Sequence, residues 1–190
     1  MKVFVIVNNY SPDKDESSGW CILADSSVTN TGKPFYKPDS YGALAASLSI
    51  GVRISRLGKH VESKFAGRYY SEYAPVLHFH LPEYEKTLRE KGLPTDASRN
   101  FDRSLFIHEF RPMEIFSPLE LTVNGQKVAE FNLDRLSKPI DDIVQEVSDI
   151  NTIKMGDIIL PGLSGSIVLK EGDLLEVKEE GRRVFMVKIK

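Results

Sequence analysis

Residues 58–102 constrain the fold of this 190-residue chain more than any other segment. Apolar or aromatic side chains recur every fourth position over 61–70, which predicts a helix with one apolar face. The apolar run at 76–81 then predicts a strand. Pro82 follows directly and suits the first turn of a helix, because its missing amide hydrogen would have no partner there. A second helix is therefore predicted from Pro82 to about Lys91, closed by a glycine.

Strand patterns dominate the first half outside this segment. Val3–Val7 is short, apolar and β-branched, which predicts a strand buried on both faces. Residues 48–57 alternate apolar with small or charged side chains, as in a half-buried strand. Residues 11–31 are rich in Ser, Asp, Asn and Gly, so we expect a long surface loop there.

The second half carries the strongest turn signal of the chain. Asn124-Gly125 stands between LELTV and QKVAEF, a combination typical of a tight β-hairpin. A third helix is predicted with Ser137 as its cap, Pro139 as its first residue and an end near Ser148. Further strands are predicted at GDIIL, DLLEV and RRVFMVKIK, the last two joined by a turn at 179–181. The pattern indicates a β-rich α+β fold with about three short helices.

Composition limits the class of protein. One domain spanning 1–190 is expected from the length and the 41% hydrophobic content, and no internal repeat is visible. The net charge of −2, with Lys and Arg scattered, argues against nucleic acid or an anionic membrane as a partner. The one cysteine, Cys21, cannot form an internal disulfide, and the apolar start is too short for a leader peptide. We therefore expect a cytoplasmic protein.

Several blocks of sequence follow one another in an order known from one family. They are Asn9-Tyr10 with Glu16, then PFYKPDS at 34–40, VNGQKVAEF, TIKMGDIILPG and EGDLLEV. In that order they resemble the fumarylacetoacetate hydrolase superfamily, metal-dependent enzymes that act on 2-oxo and 1,3-dicarbonyl acids. The resemblance implies a mixed β-sandwich roll, a homodimer and a small carboxylic acid as ligand.

The positions at which this family keeps its chemistry carry other residues here. The family's E-x-E strand motif, which gives two carboxylates to a divalent cation, aligns with Ser47 and Ser49. The third metal ligand aligns with His78. Three further positions of the same motif align with His80, Pro82 and Glu83. Arg99 aligns with the family's catalytic lysine and Leu163 with a turn threonine. In the early loop, Asp13 aligns with a histidine and Glu16 with a glutamate.

These substitutions remove what the family's reaction needs. Mg²⁺ is a hard ion held by anionic oxygens, whereas serine hydroxyls and an imidazole carry no charge. Asp13 is too acidic to act as a base near neutral pH, and Arg99 cannot release a proton. Asp13, Glu16 and Arg99 are the family-equivalent catalytic positions, and of all the family's working positions only Glu16 and Glu83 keep an acid. We therefore expect no cofactor.

An alternative metal site is offered by His78-Phe79-His80, because residues two apart on a strand share a face and two imidazoles can bind zinc. Glu83 or Glu16 could complete it, and Mg²⁺ or Mn²⁺ would be the other divalent candidates. The competing hypothesis is that both histidines fill a cleft or bond to nearby backbone.

A cationic group is the second candidate site. Lys37, Arg68 and Arg99 could bind a substrate carboxylate, together with the family-equivalent positions Ser47, Ser49, Glu83 and Leu163. The alternative is that these cations form ordinary ion pairs at the surface.

Three functions follow as hypotheses. The first is a binding or regulatory member of the family whose catalysis has degenerated. The second is a hydrolase, isomerase or decarboxylase of 2-oxo or 1,3-dicarbonyl acids, of the acylpyruvase type, with a displaced or different metal. The third is a structural partner of an active paralogue.

Overall fold

Strands account for most of the regular structure in the computed structural model, which describes residues 1–10, 17–30 and 33–190. Three helices accompany them: α1 (Ser63–Ala66), α2 (Pro82–Glu90) and α3 (Ile140–Ile150). The strands are β1 (Val3–Val7), β2 (Gly19–Leu23), β3 (Val28–Thr29), β4 (Leu44–Ile54), β5 (Tyr70–His80), β6 (Leu105–Ile107), β7 (Arg111–Pro112), β8 (Leu119–Val123), β9 (Gln126–Phe131), β10 (Ile158–Leu160), β11 (Ile167–Leu169), β12 (Leu174–Glu179) and β13 (Arg182–Lys188). None of the described helices has the length and apolar character needed to cross a membrane.

Two sheets form the architecture. The larger has the strand order β2-β1-β10-β4-β5-β6-β3, with β11 also paired to β4 and β7 to β5. Its pairs are mixed, since β1 and β10 run parallel whereas β4 and β5 run antiparallel. The smaller sheet is the antiparallel set β13-β12-β8-β9. The predicted β-rich fold with three short helices is confirmed.

The main hydrophobic core lies on one face of the larger sheet. Alternate residues of β4, including Leu48, Ile50 and Val52, enter this core together with side chains of β8, β12 and α3. A second, smaller apolar cluster covers part of the opposite face, where Val5 and Val76 are fully buried. Because β4 is covered on both faces, the prediction of a half-buried strand at 48–57 is wrong, and the strand also begins and ends earlier.

The turn and helix boundaries that have a strong sequence signal were predicted correctly. Asn124 and Gly125 have φ angles of 51° and 83°, as the tight hairpin between β8 and β9 requires. α2 begins at Pro82, and Gly92 follows its end with a φ of 65°. Val3–Val7 forms β1 and is almost completely buried.

Tertiary pairing overrides the local pattern elsewhere. The surface loop expected at 11–31 contains β2, because residues 19–23 pair along the full length of β1. The helix expected at 61–70 shrinks to Ser63–Ala66, since β5 already begins at Tyr70 and pairs with β4. Ser137 makes no side-chain cap, and α3 starts at Ile140 and continues to Ile150.

Candidate functional site

A polar floor lies on the face of β4 and β5 that points away from the main core. On this face β4 carries only small side chains between Ala45 and Gly51, and these leave room above the sheet. Ser47 stands directly opposite His78 in the strand register, and Ala45 stands opposite His80. The serine and both histidines are buried, with at most 4% of any of them exposed. The alternation of β4 and β5 therefore places polar side chains beneath an open space.

That space is a cleft of about 480 Å³, within the range usual for small-ligand sites. Its wall combines the end of β1, the strand β9, the turn after β9 and the loop between β10 and β11. The polar residues that line it are Asn8, Tyr10, Ser47, His80, Arg99, Glu130, Arg135, Ser164 and Ser166, and Leu163 is among its apolar residues.

His80 and Ser166 form a hydrogen-bonded pair in the cleft, with 2.8 Å between the imidazole Nε2 and the hydroxyl Oγ. Burial, and secondly the nearby charge of Arg99, lower the pKa of His80 to about 4. The imidazole is therefore neutral near pH 7. Such a pair can donate or accept hydrogen bonds, but its conjugate acid is poorly stabilised, so it is a weak general base.

His78 is bonded to the backbone beneath the cleft. Its Nε2 lies 3.3 Å from the carbonyl oxygen of Arg99. A carbonyl can only accept, so Nε2 of His78 carries the proton and Nδ1 keeps its lone pair. Burial, followed by the neighbouring His80 and Arg99, lowers the pKa of His78 to about 3. The Nδ1 atoms of both histidines are buried and have no hydrogen-bond partner among the described residues.

Arg99 brings a positive charge to the edge of the cleft. Its Nη2 donates to Glu85 at 2.8 Å, and the other oxygen of Glu85 accepts from Arg89 at 2.8 Å. Two guanidinium groups thus share one carboxylate, which leaves a net charge of about +1 in this cluster. Arg135 supplies a second cation to the lining and lies 5.0 Å from the ring centroid of Tyr10.

The loop between β10 and β11 is clamped to β4, which fixes the position of Ser166. Ser49 donates to the carbonyl oxygen of Gly162 at 2.5 Å. Ser164 accepts from the amide of Leu48 at 2.8 Å, and its own amide donates back to the Leu48 carbonyl. A side chain at position 162 would collide with Leu136 and Tyr10. The loop therefore needs glycine at 162 and the Ser49 hydroxyl beneath it.

The described residues do not fit a hard divalent cation. Within residues 1–10, 17–30 and 33–190, no group of three His, Cys, Asp or Glu side chains could hold a metal ion. The Glu130 carboxylate pairs with Lys127 at 2.9 Å, and the Ser49 hydroxyl is committed to Gly162. The rings of His78 and His80 lie 6.1 Å apart and offer two nitrogen ligands at most through their free Nδ1 atoms. Anionic oxygens, which Mg²⁺ and Mn²⁺ prefer, are missing from this set.

The structure brings some of the predicted site residues together. Ser47, His80, Arg99 and Leu163 all line the cleft, and His78 lies in the floor below it. Asp13 and Glu16 lie outside the described residues. The metal site at His78 and His80 stays a prediction.

Four other predicted site residues lie elsewhere. Ser49 faces the clamped loop, and its hydroxyl is used there. Glu83 is exposed on α2 and accepts from the amide of Ala43 at 3.1 Å. Lys37 is exposed where its segment pairs with the C-terminal residue, and Arg68 stacks on Phe65. Lys37 and Arg68 therefore do not line the cleft with Arg99.

Sequence reasoning missed Ser166 and Arg135. Ser166 belongs to the PGLSGS segment, whose glycines and serines indicate no more than a turn. Arg135 follows β9 and reaches the cleft only because the turn after the hairpin folds back over Tyr10.

Comparison with known proteins agrees with the fold and with the order of the sequence blocks. The family model described as fumarylacetoacetate (FAA) hydrolase, C-terminal, matches residues 7–186. A protein of Rattus norvegicus named oxaloacetate tautomerase FAHD1, mitochondrial, is 30% identical over 156 residues, which cover 79% of this chain and 71% of the relative. The oxaloacetate tautomerase YcgM of Escherichia coli is 22% identical over 167 residues, covering 84% of this chain and 76% of the relative.

A solved structure shows the same fold. Fumarylpyruvate hydrolase from Pseudomonas aeruginosa, in complex with Mn²⁺ and pyruvate, superposes with a TM-score of 0.91 at 18% identity. The superposition covers 100% of this chain and 89% of that one. The mixed β-sandwich roll expected from the resemblance is confirmed.

Proposed function

The chain belongs to the fumarylacetoacetate hydrolase family, and from that premise we propose that its cleft binds a small 2-oxo carboxylic acid through protein groups, without depending on a divalent cation. One observation carries the proposal. The cleft combines Arg99 and the His80–Ser166 pair with Ser47, which stands where the aligned family motif carries a metal-binding carboxylate.

The carboxylate of the ligand is assigned to Arg99. A guanidinium has five N–H donors, and the contact with Glu85 uses one of them. The fork geometry suits a planar carboxylate, and the surplus positive charge of the Arg89, Glu85 and Arg99 cluster favours an anion. Arg135 offers a second cation to a ligand that carries two carboxylates.

The keto oxygen is assigned to the hydroxyls at the floor and at the clamped loop. Ser166 is held by His80, and Ser47 lines the cleft from β4. Since His80 is neutral above about pH 5, this part of the site presents neutral hydrogen-bond donors throughout the physiological range. A neutral donor binds a keto group without giving it the polarisation that a metal ion supplies, so catalysis of the family's kind would be slow.

A second candidate is catalysis on the same ligands. The curated relatives named above are oxaloacetate tautomerases, which favours a reaction that moves a proton between carbon and oxygen of a 2-oxo acid. In this chain the His80–Ser166 pair lines the cleft and could relay such a proton. Turnover of oxaloacetate by the wild-type protein that disappears in His80→Gln would favour this function over binding alone.

The binding proposal is tested by calorimetry with pyruvate and oxaloacetate. Arg99→Ala should weaken binding by about tenfold to a hundredfold, the range for losing a hydrogen bond to a charged group. Arg68→Ala is the matched control, because Arg68 is exposed beside Phe65 and lines no part of the cleft. Equal affinity in both variants, with unchanged melting temperatures, would contradict the assignment of Arg99.

A further inference from the structure

The free edge of β2 borders a second cavity of about 300 Å³. Residues 20–23 line this cavity consecutively, and α2 with the turn after it forms the opposite wall. Side chains of a strand point alternately to its two faces, so four consecutive residues line one space where the backbone edge itself borders it. The side chains of Trp20 and Ile22 pack against the main core. The cavity is therefore bordered at β2 by main chain.

The strand register shows which peptide groups of β2 point into the cavity. The amide of Ile158 in β10 donates to the carbonyl of Lys2 at 3.0 Å. In the parallel pairing of β1 with β10, this bond directs the even-numbered residues of β1 to β10 and the odd-numbered ones to β2. Odd-numbered residues of β1 stand opposite odd-numbered residues of β2, which complete that ladder. The N–H and C=O groups of Trp20 and Ile22 therefore point away from β1.

These outward groups are unpaired among the described residues. The next outward group along the edge, the amide of Ala24, donates to the side-chain oxygen of Asn100 at 3.0 Å. Asn100 thus closes the free edge at one end. At the other end the cavity meets the cleft at Arg99, which lines both spaces. Unpaired groups on an edge strand are a template for a further extended chain.

We propose that this cavity binds a free peptide of about three residues, which adds to β2 as an antiparallel strand and places its carboxylate beside Arg99. The inference goes beyond the proposed function and shares only Arg99 with it. The contact between Asn100 and Ala24 limits the occupant to a short peptide, because a longer chain would run into that closed end.

Charge sets the direction of the peptide. Arg99 lies at the Gly19 end of β2, since Val7 stands opposite Gly19 and lines the same junction of the two spaces. Asp96 lies at the other end, because its carbonyl accepts from the amide of Asn100, the residue that holds Ala24. A carboxylate at the first end and an ammonium group at the second would each meet the opposite charge.

This direction fixes the hydrogen bonds that the peptide can make. In an antiparallel pair, the residue opposite an outward-pointing residue exchanges both of its main-chain bonds with it. The first and third residues of the peptide would thus pair with Ile22 and Trp20. The peptide groups of the second residue would point towards α2. Because main-chain groups make these contacts, the site should accept different side chains.

Trialanine is the probe, titrated by calorimetry into the full-length protein while amide hydrogen exchange is followed by NMR. Bound trialanine should slow exchange at the amides of Trp20 and Ile22 by about tenfold or more. The amide of Cys21 is the internal control, because it belongs to the ladder with β1. Its exchange rate should change much less.

Modified peptides test the pairing itself. N-methylation of the third residue removes the N–H that would donate to the carbonyl of Trp20, and it should weaken binding by about tenfold. N-methylation of the second residue is the matched control, because that N–H points away from β2. Trialaninamide, which lacks the carboxylate, should bind about tenfold to a hundredfold more weakly.

Ile22→Pro tests the protein side of the same contact. Proline removes the outward N–H of Ile22 and is tolerated where an edge strand faces away from its partner. This variant should bind trialanine about tenfold more weakly. Ile22→Ala is the control, because it also loses the packing of the side chain but keeps the N–H.

Two results would overturn the inference. The first is trialanine that does not bind, or that binds without slowing exchange at Trp20 and Ile22. The second is equal weakening by both N-methylations. If Ile22→Pro does not fold, the exchange rates of the wild-type protein and the methylated peptides still decide the question. None of these results depends on whether pyruvate binds, so the proposed function is tested separately.

Discussion

At the scale of single residues, the buried histidines determine what chemistry the cleft can perform. His78 and His80 lie on the polar face of β5 with their Nδ1 atoms unpaired, and burial keeps both imidazoles neutral. Neutral imidazoles suit hydrogen bonding to a ligand. A base with a pKa near 4 is poorly matched to proton abstraction near pH 7.

The same burial predicts how stability depends on pH. The pKa values of His78 and His80 fall to about 3 and about 4 in the folded protein, from an ordinary value of 6.5. The unfolded chain therefore binds more protons than the folded one below pH 6.5. The free energy of unfolding should decrease as the pH falls from about 6.5 towards 4, by about 1.4 kcal/mol per pH unit for each histidine.

Urea unfolding at pH 7, 6 and 5 measures this slope. His78→Gln should reduce the slope of unfolding free energy against pH by about 1.4 kcal/mol per pH unit, the contribution of one histidine. His60→Asn is the control, because the His60 side chain is 69% exposed. Identical slopes for the wild-type protein and His78→Gln would show that folding does not lower the pKa of His78.

At the scale of elements, the Ser49 hydroxyl and the two hydrogen bonds between Ser164 and Leu48 hold the loop between β10 and β11 against β4. The Ser49→Ala variant leaves the buried carbonyl of Gly162 without its donor. We expect the free energy of unfolding to drop by about 1–3 kcal/mol, and pyruvate binding to weaken because Ser166 loses its fixed position. Chemical denaturation and calorimetry measure the two effects.

Ser137→Ala is the matched control for this loop. Ser137 precedes α3 but makes no capping hydrogen bond, so its removal should change the free energy of unfolding by no more than about 0.5 kcal/mol. If Ser137→Ala lowers the free energy of unfolding as much as Ser49→Ala does, the effect of Ser49→Ala does not come from its lost hydrogen bond to Gly162.

The elements also show where sequence reasoning succeeds. Asn124-Gly125 and Pro82 were predicted correctly because the backbone angles they require depend on the residue itself. The local sequence did not predict β2 or the early end of α1. β2 forms because it pairs with β1, and α1 ends early because β5 pairs with β4. Local preference is overruled when a distant strand offers a full ladder of hydrogen bonds.

Sequence reasoning likewise found some residues of the candidate site and missed others. His80, Arg99 and Leu163 came from the family's motif positions, because the order of motifs preserves their place in the fold. Ser166 could not be predicted, since only the clamped loop places its hydroxyl 2.8 Å from His80. Lys37 does not line the cleft, and the sequence of its segment does not specify where an exposed lysine side chain points.

At the scale of the whole molecule, a partly buried network joins the two sheets. Tyr73 of β5 donates from its hydroxyl to Glu179 of β12 at 2.6 Å, and Glu179 also pairs with Arg111. Burial, and then the contact with Glu179, raise the pKa of the Tyr73 phenol, so it remains a donor at all physiological pH values. The expected homodimer and the pairing with an active paralogue stay predictions at this scale.

Tyr73→Phe should therefore reduce the free energy of unfolding by about 1.5–3 kcal/mol, the range for a hydrogen bond to a charged group. Guanidinium unfolding measures it. Tyr36→Phe is the control, because Tyr36 is 62% exposed and its loss of a hydroxyl should be nearly neutral. If the two variants are equally stable, the network does not hold the sheets together.

Ligand binding in this family member should not depend on a divalent cation. The most direct measurement is calorimetric titration of pyruvate and 2-oxohexanoate into protein dialysed against EDTA, repeated after addition of one equivalent of Mn²⁺. We predict the same dissociation constant with and without the metal. Binding that is absent after EDTA and returns with stoichiometric Mn²⁺ would contradict the claim.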